Sequence, residues 1–335
     1  MSMSVNVAVV GVTGVVGQEF LTVLAERKFG FTGLKLLASS RSAGKKIDFM
    51  GETYTVEELT KDSFKGIDIA LFSAGGAISK EFGPIAVKAG AVVVDNSSAF
   101  RMKDGVPLVV PEVNPGEIKK HNGLIANPNC STIIMNVPVW PLYKVNRIKR
   151  IIVSTYQAVS GAGAWGLWEL DEQIKAYAEG RPIVKNKFPH QIVNNLFSHN
   201  SKVSENGYNE EENKMVWETR KIFGDPKIMV TATCVRVAVP RAHSESINLE
   251  FERPISVAEV REILRSAPGV TIVDDREKNH FPMPLEASNQ DNVLVGRIRQ
   301  DMSREDGRGI EMFVSGDQVR KGAATNAVQI AERLV

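Results

Sequence analysis

Cysteine is almost missing from this chain: its 335 residues carry two, Cys130 and Cys234. A disulfide framework is therefore excluded as the organising device, and a reducing compartment, the cytoplasm, is the expected location. Charge of one sign is not in excess either. Lys and Arg number 41 and Asp and Glu 39, a formal net charge of +2, which gives no reason to expect nucleic acid or an anionic membrane as a partner. No apolar run approaches the roughly 20 residues that span a bilayer. The start, Met1-Ser2-Met3-Ser4, has neither the basic nor the long apolar region of a secretory signal. The histidines and cysteines are too scattered for a metal-ligand cluster, so no metal is expected. There is no internal repeat and no low-complexity tract.

What is present is an ordinary globular composition, 43% apolar and 24% charged, long enough for two domains. Val5 to Val10 is a continuous apolar strand. It runs into Gly11-Val12-Thr13-Gly14-Val15-Val16-Gly17, and Gln18 to Lys28 then has helical spacing. Strand, glycine turn and helix form the context in which a backbone can approach a pyrophosphate and a helix N-terminus can hold it. A tight turn without a ligand has the same signature. The second strand, Leu34 to Ala38, ends in Ser39-Ser40-Arg41-Ser42, and no acid occurs between Phe31 and Lys46. An NAD site would place a carboxylate here for the ribose hydroxyls. Hydroxyls and a guanidinium instead suit a 2′-phosphate, so NADP is the expected cofactor, with a solvated basic loop as the other reading. The βα alternation continues. Ile67 to Phe72 is a strand ending in Ser73-Ala74-Gly75, Ser79 to Ala89 a helix, Ala91 to Val94 a strand, and Pro107 to Pro111 a further extended run.

Chemistry begins at Asn129-Cys130-Ser131. Asn129 and Ser131 are capping residues, and the apolar run that follows reads as a helix as far as Pro138. At a helix N-terminus the dipole favours the thiolate, the nucleophilic form of cysteine; a buried structural cysteine is the alternative. A thiolate needs an acid/base partner. His121, His190, His199 and His280 lie in polar surroundings and read as surface residues. His243 follows the strand Ile228 to Val239 and is placed to reach a cleft. On that strand Cys234, Arg236 and Ala238 share one face. An arginine among apolar neighbours implies a partner, either a buried acid or the carboxylate of a substrate.

Taken together, Gly-Val-Thr-Gly-Val-Val-Gly, Ser-Ser-Arg-Ser-Ala-Gly, Asn-Ser-Ser-Ala-Phe-Arg, Pro-Asn-Cys-Ser-Thr, Thr-Tyr-Gln-Ala-Val-Ser-Gly, Arg-Val-Ala-Val-Pro-Arg-Ala-His and the C-terminal Arg-Lys-Gly-Ala-Ala-Thr-Asn resemble the aspartate-semialdehyde dehydrogenase family along essentially the whole chain. The resemblance implies that Cys130 attacks aspartyl phosphate to form an acyl thioester, and that hydride from NADPH then gives the semialdehyde for lysine, methionine and threonine synthesis. It implies His243 as acid/base, Gln157 as the amide that orients the intermediate, and Arg236 as the holder of the α-carboxylate. Arg101, Asn129 and Lys214 match the phosphate pocket, and Glu211 faces the substrate amine. Glu211 and Lys214, three apart, could also be a plain surface ion pair. The cofactor residues implied are Gly11, Thr13, Gly14, Val15, Val16, Ser39, Arg41, Ser42, Ser73, Ala74, Gly75, Ser160 and Gly161, with Gln318 or Asn326 closing over the cofactor. A homodimer is implied too.

N-acetyl-gamma-glutamyl-phosphate reductase shares the cysteine and acyl-phosphate logic, but its nucleophile motif usually reads Asn-Pro-Gly-Cys and its blocked amine leaves Glu211 without a purpose. A catalytically silent scaffold relative is expected to lose the cysteine or the histidine. The expected architecture is α/β. A doubly wound, Rossmann-type NADP-binding domain comprises 1–128 with 317–335. An α+β domain with a mainly antiparallel sheet, 129–316, serves catalysis, substrate binding and dimerisation. The stretch 182–209 carries no nameable chemistry and is expected to decorate that second domain or the subunit contact. Trp165 and Trp168 are expected to pack inside.

Overall fold

The computed structural model describes residues 5–335. Its described residues divide into two compact units, one of residues 5–129 with 323–335 and one of residues 130–322.

In the first unit the strands are β1 (Asn6–Val10), β2 (Gly33–Ala38), β3 (Lys46–Phe49), β4 (Glu52–Thr55), β5 (Glu57–Glu58), β6 (Ile69–Phe72), β7 (Val92–Asp95) and β8 (Leu124–Ala126). Among the described residues six of these form one sheet in the order β5-β2-β1-β6-β7-β8, with every pairing parallel. Strands β3 and β4 form a separate hairpin. β1 is central and nearly all buried, which is why its sequence is apolar without alternation. Helix α1 (Val15–Glu26) buries Phe20, Leu21, Val23 and Leu24 against the sheet. The chain's last helix, α8 (Thr325–Ala331), joins the same core through Ala327, Val328 and Ile330. Helix α2 (Gly76–Lys88) packs beside β7. The extended run 107–111 forms no strand of its own; Leu108 meets Ala126 in a single bridge, since proline at both ends removes ladder donors.

The second unit is built on β9 (Ile148–Gln157), β10 (Leu196–Ser198), β11 (Met229–Val237), β12 (His243–Phe251), β13 (Val270–Ile272), β14 (Val293–Gln300) and β15 (Gly309–Gly316), in the order β10-β11-β9-β12-β15-β14-β13. Only β11–β9 and β14–β13 pair in parallel, so the sheet is mainly antiparallel, as expected. Its helices are α3 (Cys130–Val145), α4 (Ala164–Ala178), α5 (Glu210–Phe223), α6 (Val257–Arg265) and the short α7 (Pro284–Ala287).

Two expectations fail here. Helix α3 does not stop at Pro138 but runs on through Pro138 and Pro141. Each proline forfeits one helical hydrogen bond, yet residues 131–139 are buried without a break, and burial on all sides holds the helix against that loss. Trp165 and Trp168 are not interior. They are 63% and 44% exposed and stack edge to face on one another, rings 5.4 Å apart, on the outer side of α4.

Candidate active site

The register of three neighbouring strands brings together three of the expected site residues. Arg236 on β11 lies opposite Gln157 on β9, and β9 pairs on its other side with β12, which begins at His243. His243 is thus the first residue of a strand rather than a loop residue beyond one. All three side chains are buried. A Cβ built on Gly161 would stand 3.2 Å from Arg236 Nη1 and 3.3 Å from His243 Nε2, so both groups converge on that turn.

Cys130 is the first residue of α3, half-buried, where the helix dipole favours negative charge. Its neighbour Ser131 is not a cap: its hydroxyl accepts from Gln157 Nε2 at 3.0 Å, which ties the helix start to the sheet. Gly322 presses on the same spot; a Cβ there would lie 2.9 Å from that of Cys130. Gln157 Nε2 also lies 3.2 Å from Glu211 Oε1, and Lys214 Nζ is 3.1 Å from Glu211 Oε2. Glu211 and Lys214 are therefore more than a surface pair. Glu211 is buried on the first turn of α5, a helix started by a capping box between Asn209 and Glu212.

The electrostatics are set mainly by burial. Desolvation works against the charge of Arg236, opposed by Glu211 and Cys130 nearby. Its Nη1 donates to Ala158 O at 2.6 Å, while its Nε is buried with no partner among the described residues. Burial, reinforced by Arg236, holds His243 well below the usual histidine range, hence neutral. Nδ1 of that ring accepts the Ala158 N–H at 3.0 Å, so the ring proton sits on Nε2, which has no partner among the described residues. An N–H of a buried guanidinium and an N–H of a neutral imidazole thus lack partners among the described residues, and both side chains converge on Gly161, an arrangement suited to an anionic group and a developing oxyanion. One row below, in register, stand Cys234, Thr155 and Glu245. Burial pushes the Cys234 thiol up and keeps the Glu245 carboxyl protonated; neither Glu245 oxygen has a partner among the described residues.

Sequence reasoning missed His199. Far from being a surface group, it reaches Arg236 with Nε2 at 2.8 Å from Nη2. Only three strand residues, Leu196–Ser198, bring it there, too short a signal to stand out in the loop-like stretch 182–209. Elsewhere in this unit, Ser160 accepts from Gln318 Nε2, and Gln318 Oε1 accepts the Ala242 N–H at 2.8 Å.

In the first unit the turns after β1, β2 and β6 lie on the C-terminal edge of the parallel sheet, at the point where strand order reverses on either side of β1. Gly11 has φ +86°, and a Cβ there would stand 2.5 Å from Ser73 O, so only glycine fits. Gly14 caps α1 with no side-chain bond, and Val15 and Val16 begin the helix whose first N–H groups face outward for an anion. Thr13 Oγ1 lies 3.5 Å from Ser42 Oγ; Ser39 and Arg41 are exposed on the adjoining turn. Ser73, Ala74 and Gly75 make the turn into α2. Arg101 is planted by bonds from Nε to Asn127 O (2.9 Å) and Nη2 to Asn96 O (3.0 Å), with Asn129 buried in the same unit. Asn326 is wholly buried, donating to Val109 O at 2.9 Å and Asn127 Oδ1 at 2.6 Å.

Two family models match, the semialdehyde dehydrogenase NAD binding domain over residues 6–121 and the semialdehyde dehydrogenase dimerisation domain over 139–321. An Aquifex aeolicus protein named aspartate-semialdehyde dehydrogenase is 56% identical, over 99% of this chain and 98% of its own. The chain belongs to the aspartate-semialdehyde dehydrogenase family. Among solved members of the family, aspartate semialdehyde dehydrogenase II from Vibrio cholerae, complexed with ASA, superposes with TM-score 0.96 at 47% identity, covering 99% of this chain and 98% of that one. The aspartate semialdehyde dehydrogenase of Candida albicans with NADP has TM-score 0.76 at 27% identity, with coverage of 99% and 98%. The family thus accounts for both units of this chain, and it makes the chain an oxidoreductase.

Proposed function

We propose that this enzyme reduces L-aspartyl 4-phosphate to L-aspartate 4-semialdehyde with NADPH and releases phosphate, reversibly, through a thioester on Cys130, in the synthesis of lysine, methionine and threonine. The reading rests above all on the buried row Arg236–Gln157–His243 beside the start of α3, with Glu211 and Lys214 on α5 against it. These are the charges an amino-acid acyl phosphate requires. Arg236 takes the α-carboxylate in a fork, Glu211 the ammonium, and Lys214, Arg101 and Asn129 the phosphate. Cys130 sulfur bonds to the acyl carbon as the carbon–oxygen bond to phosphate breaks, and phosphate leaves with the electron pair. Gln157 holds the acyl group in place. The nicotinamide cofactor, when bound, supplies the hydride. Collapse of the thiohemiacetal breaks the carbon–sulfur bond and restores the thiolate. His243 Nε2–H steadies the oxygen on which charge develops, the acid side of its acid/base role. Glu211, buried and held by Lys214 and Gln157, argues against a substrate with a blocked amine.

The residues of the first unit fit a dinucleotide. Gly11, Thr13, Gly14, Val15 and Val16 cradle the pyrophosphate, and Ser73, Ala74 and Gly75 border it. Ser39, Arg41 and Ser42, with no acid among them, favour NADP over NAD, in keeping with the NADP present in the Candida structure. Ser160, Gly161 and Gln318 serve the nicotinamide end. Asn326 serves the same cofactor site by holding the Asn127 side chain. A catalytic thiol favours a reducing location, the cytoplasm. Exposed Trp165, Trp168 and Tyr177 on α4, within the dimerisation-domain match, support a homodimer.

The test is NADP reduction with L-aspartate 4-semialdehyde, with and without phosphate, for wild type and Cys130→Ser. Phosphate-dependent reduction that falls by about a thousandfold or more in the variant is expected. Reduction indifferent to phosphate, or an unimpaired variant, overturns the reading.

A further inference from the structure

His199 lies at the start of an unbroken line of donors and acceptors. Arginine has only donors, so His199 Nε2, 2.8 Å from Arg236 Nη2, has to accept. The ring proton of neutral His199 is then on Nδ1, which donates to Ser201 Oγ at 3.0 Å. The Ser201 hydroxyl donates onward to Asn209 Oδ1 at 3.4 Å and accepts the Glu211 N–H at 3.2 Å. Asn209 caps α5, the helix that carries Glu211 and Lys214. Ser201 N–H also approaches Nδ1, at 3.3 Å, but that longer contact requires the tautomer the arginine forbids. The ring's own backbone is pinned as well: His199 N–H donates to Cys234 O at 2.8 Å, and Phe197 is in register with Arg236.

We propose that His199 is a positioning residue for the substrate carboxylate. It accepts one guanidinium N–H of Arg236, sets the plane of that group, and couples it through Ser201 and Asn209 to the helix end that bears Glu211 and Lys214. The inference rests on the reading that Arg236 grips the α-carboxylate. Of the titratable groups around the ring, Arg236 on β11 and Lys214 on α5 are cationic, Glu211 is acidic, and His243 on β12 is neutral. Burial, aided by those cations against Glu211, brings His199 down to about 4. A neutral acceptor is what a guanidinium needs on the side not given to substrate. It fixes one N–H without supplying an anion that would compete with the carboxylate.

The experiment measures KM for aspartate semialdehyde, phosphate and NADP separately in wild type, His199→Ala, His199→Gln, Ser201→Ala and Arg236→Ala. His199→Ala is expected to raise KM for the semialdehyde about tenfold or more, the loss of one charge-assisted hydrogen bond, and to leave KM for NADP unchanged. His199→Gln, whose carbonyl can accept from Arg236, recovers most of the loss, and Ser201→Ala gives a smaller rise of the same kind. Added to Arg236→Ala, His199→Ala has no further effect. Between pH 6 and 8 the rise stays constant, because the ring is neutral throughout. Equal increases in all three KM values with no rescue by glutamine mark a merely structural role and overturn the proposal. So does an unchanged semialdehyde KM in His199→Ala while Arg236→Ala raises it. An Arg236→Ala variant with unaltered semialdehyde KM instead removes the parent reading. If His199→Ala fails to fold, the glutamine and Ser201 variants decide by the same criterion.

Discussion

The two units make their sites in opposite ways. In the first, each candidate contact comes from the few residues that follow a strand, and β1, β2 and β6 lie side by side in one parallel sheet. The turn at Gly11, the turn at Ser39–Ser42 and the turn at Ser73–Gly75 are short, open and formed largely by backbone. In the second unit no short segment contains the site. Strands far apart in the chain bring together Arg236, Gln157 and His243, and two helices add Cys130 and Glu211, nearly all of them out of water. A backbone site of the first kind depends on conformation, and a side-chain site of the second kind on register and on uncompensated burial. The two should therefore break differently.

The largest effect is expected at Gly11→Ala. It combines φ +86° with a Cβ 2.5 Å from Ser73 O, and strain plus backbone overlap should cost about 3 kcal/mol or more. Denaturant midpoints will report a loss of stability, and cofactor titration a loss of binding. A fully stable variant with normal affinity would contradict the turn as described.

The next test is in the second unit. Glu245 stays protonated in the folded state while its unfolded counterpart ionises above its ordinary value of 4.5. Above that pH the unfolded chain has given up a proton that the folded chain keeps, so raising the pH favours unfolding. Stability is full below the ordinary value and falls, by up to about 1.4 kcal/mol per pH unit, until the folded carboxyl also ionises. Glu245→Gln cannot titrate. Urea midpoints from pH 5 to 7 should therefore fall more steeply in wild type than in the variant; parallel curves would mean the carboxyl is ionised in the fold.

Gly322→Ala is a smaller disturbance, confined to the second unit. A methyl 2.9 Å from the Cys130 Cβ should displace the sulfur and lower kcat by roughly tenfold, about 1.4 kcal/mol, with KM for NADP unchanged. Smallest of all, Arg41→Ala removes one exposed cation and should raise KM for NADPH by about fivefold while leaving NADH alone. Equal loss for both cofactors would take Arg41 out of the 2′-phosphate reading.

The same contrast governs how much could be read in advance. The β1–turn–α1 segment, the missing acid after β2 and the cysteine at the start of α3 are local patterns, and local patterns are visible in a linear string. His199 was not visible, because its importance comes from β10 lying beside β11 and nothing around it in the chain says so. Helix α3 passing through Pro138 and Pro141, the exposure of Trp165 and Trp168, and Glu245 buried beneath His243 escaped for a related reason. Each depends on what surrounds the residue, and the neighbours are distant in sequence.

By itself, then, the sequence determined the α/β class, the glycine turn of the nucleotide unit, the family, and the identity of Cys130, Gln157, Arg236 and His243 as the residues to examine. Residue type, spacing and backbone conformational limits are properties of short stretches. Only the tertiary structure decided which atoms of those residues stay buried without a partner among the described residues: Nε2 of His243, since the Ala158 N–H occupies Nδ1, and Nε of Arg236, whose Nη1 and Nη2 each give one N–H to Ala158 and His199. Those assignments follow from hydrogen bonds made across strands in a place where water cannot substitute for a missing partner, and no local feature of the chain encodes them.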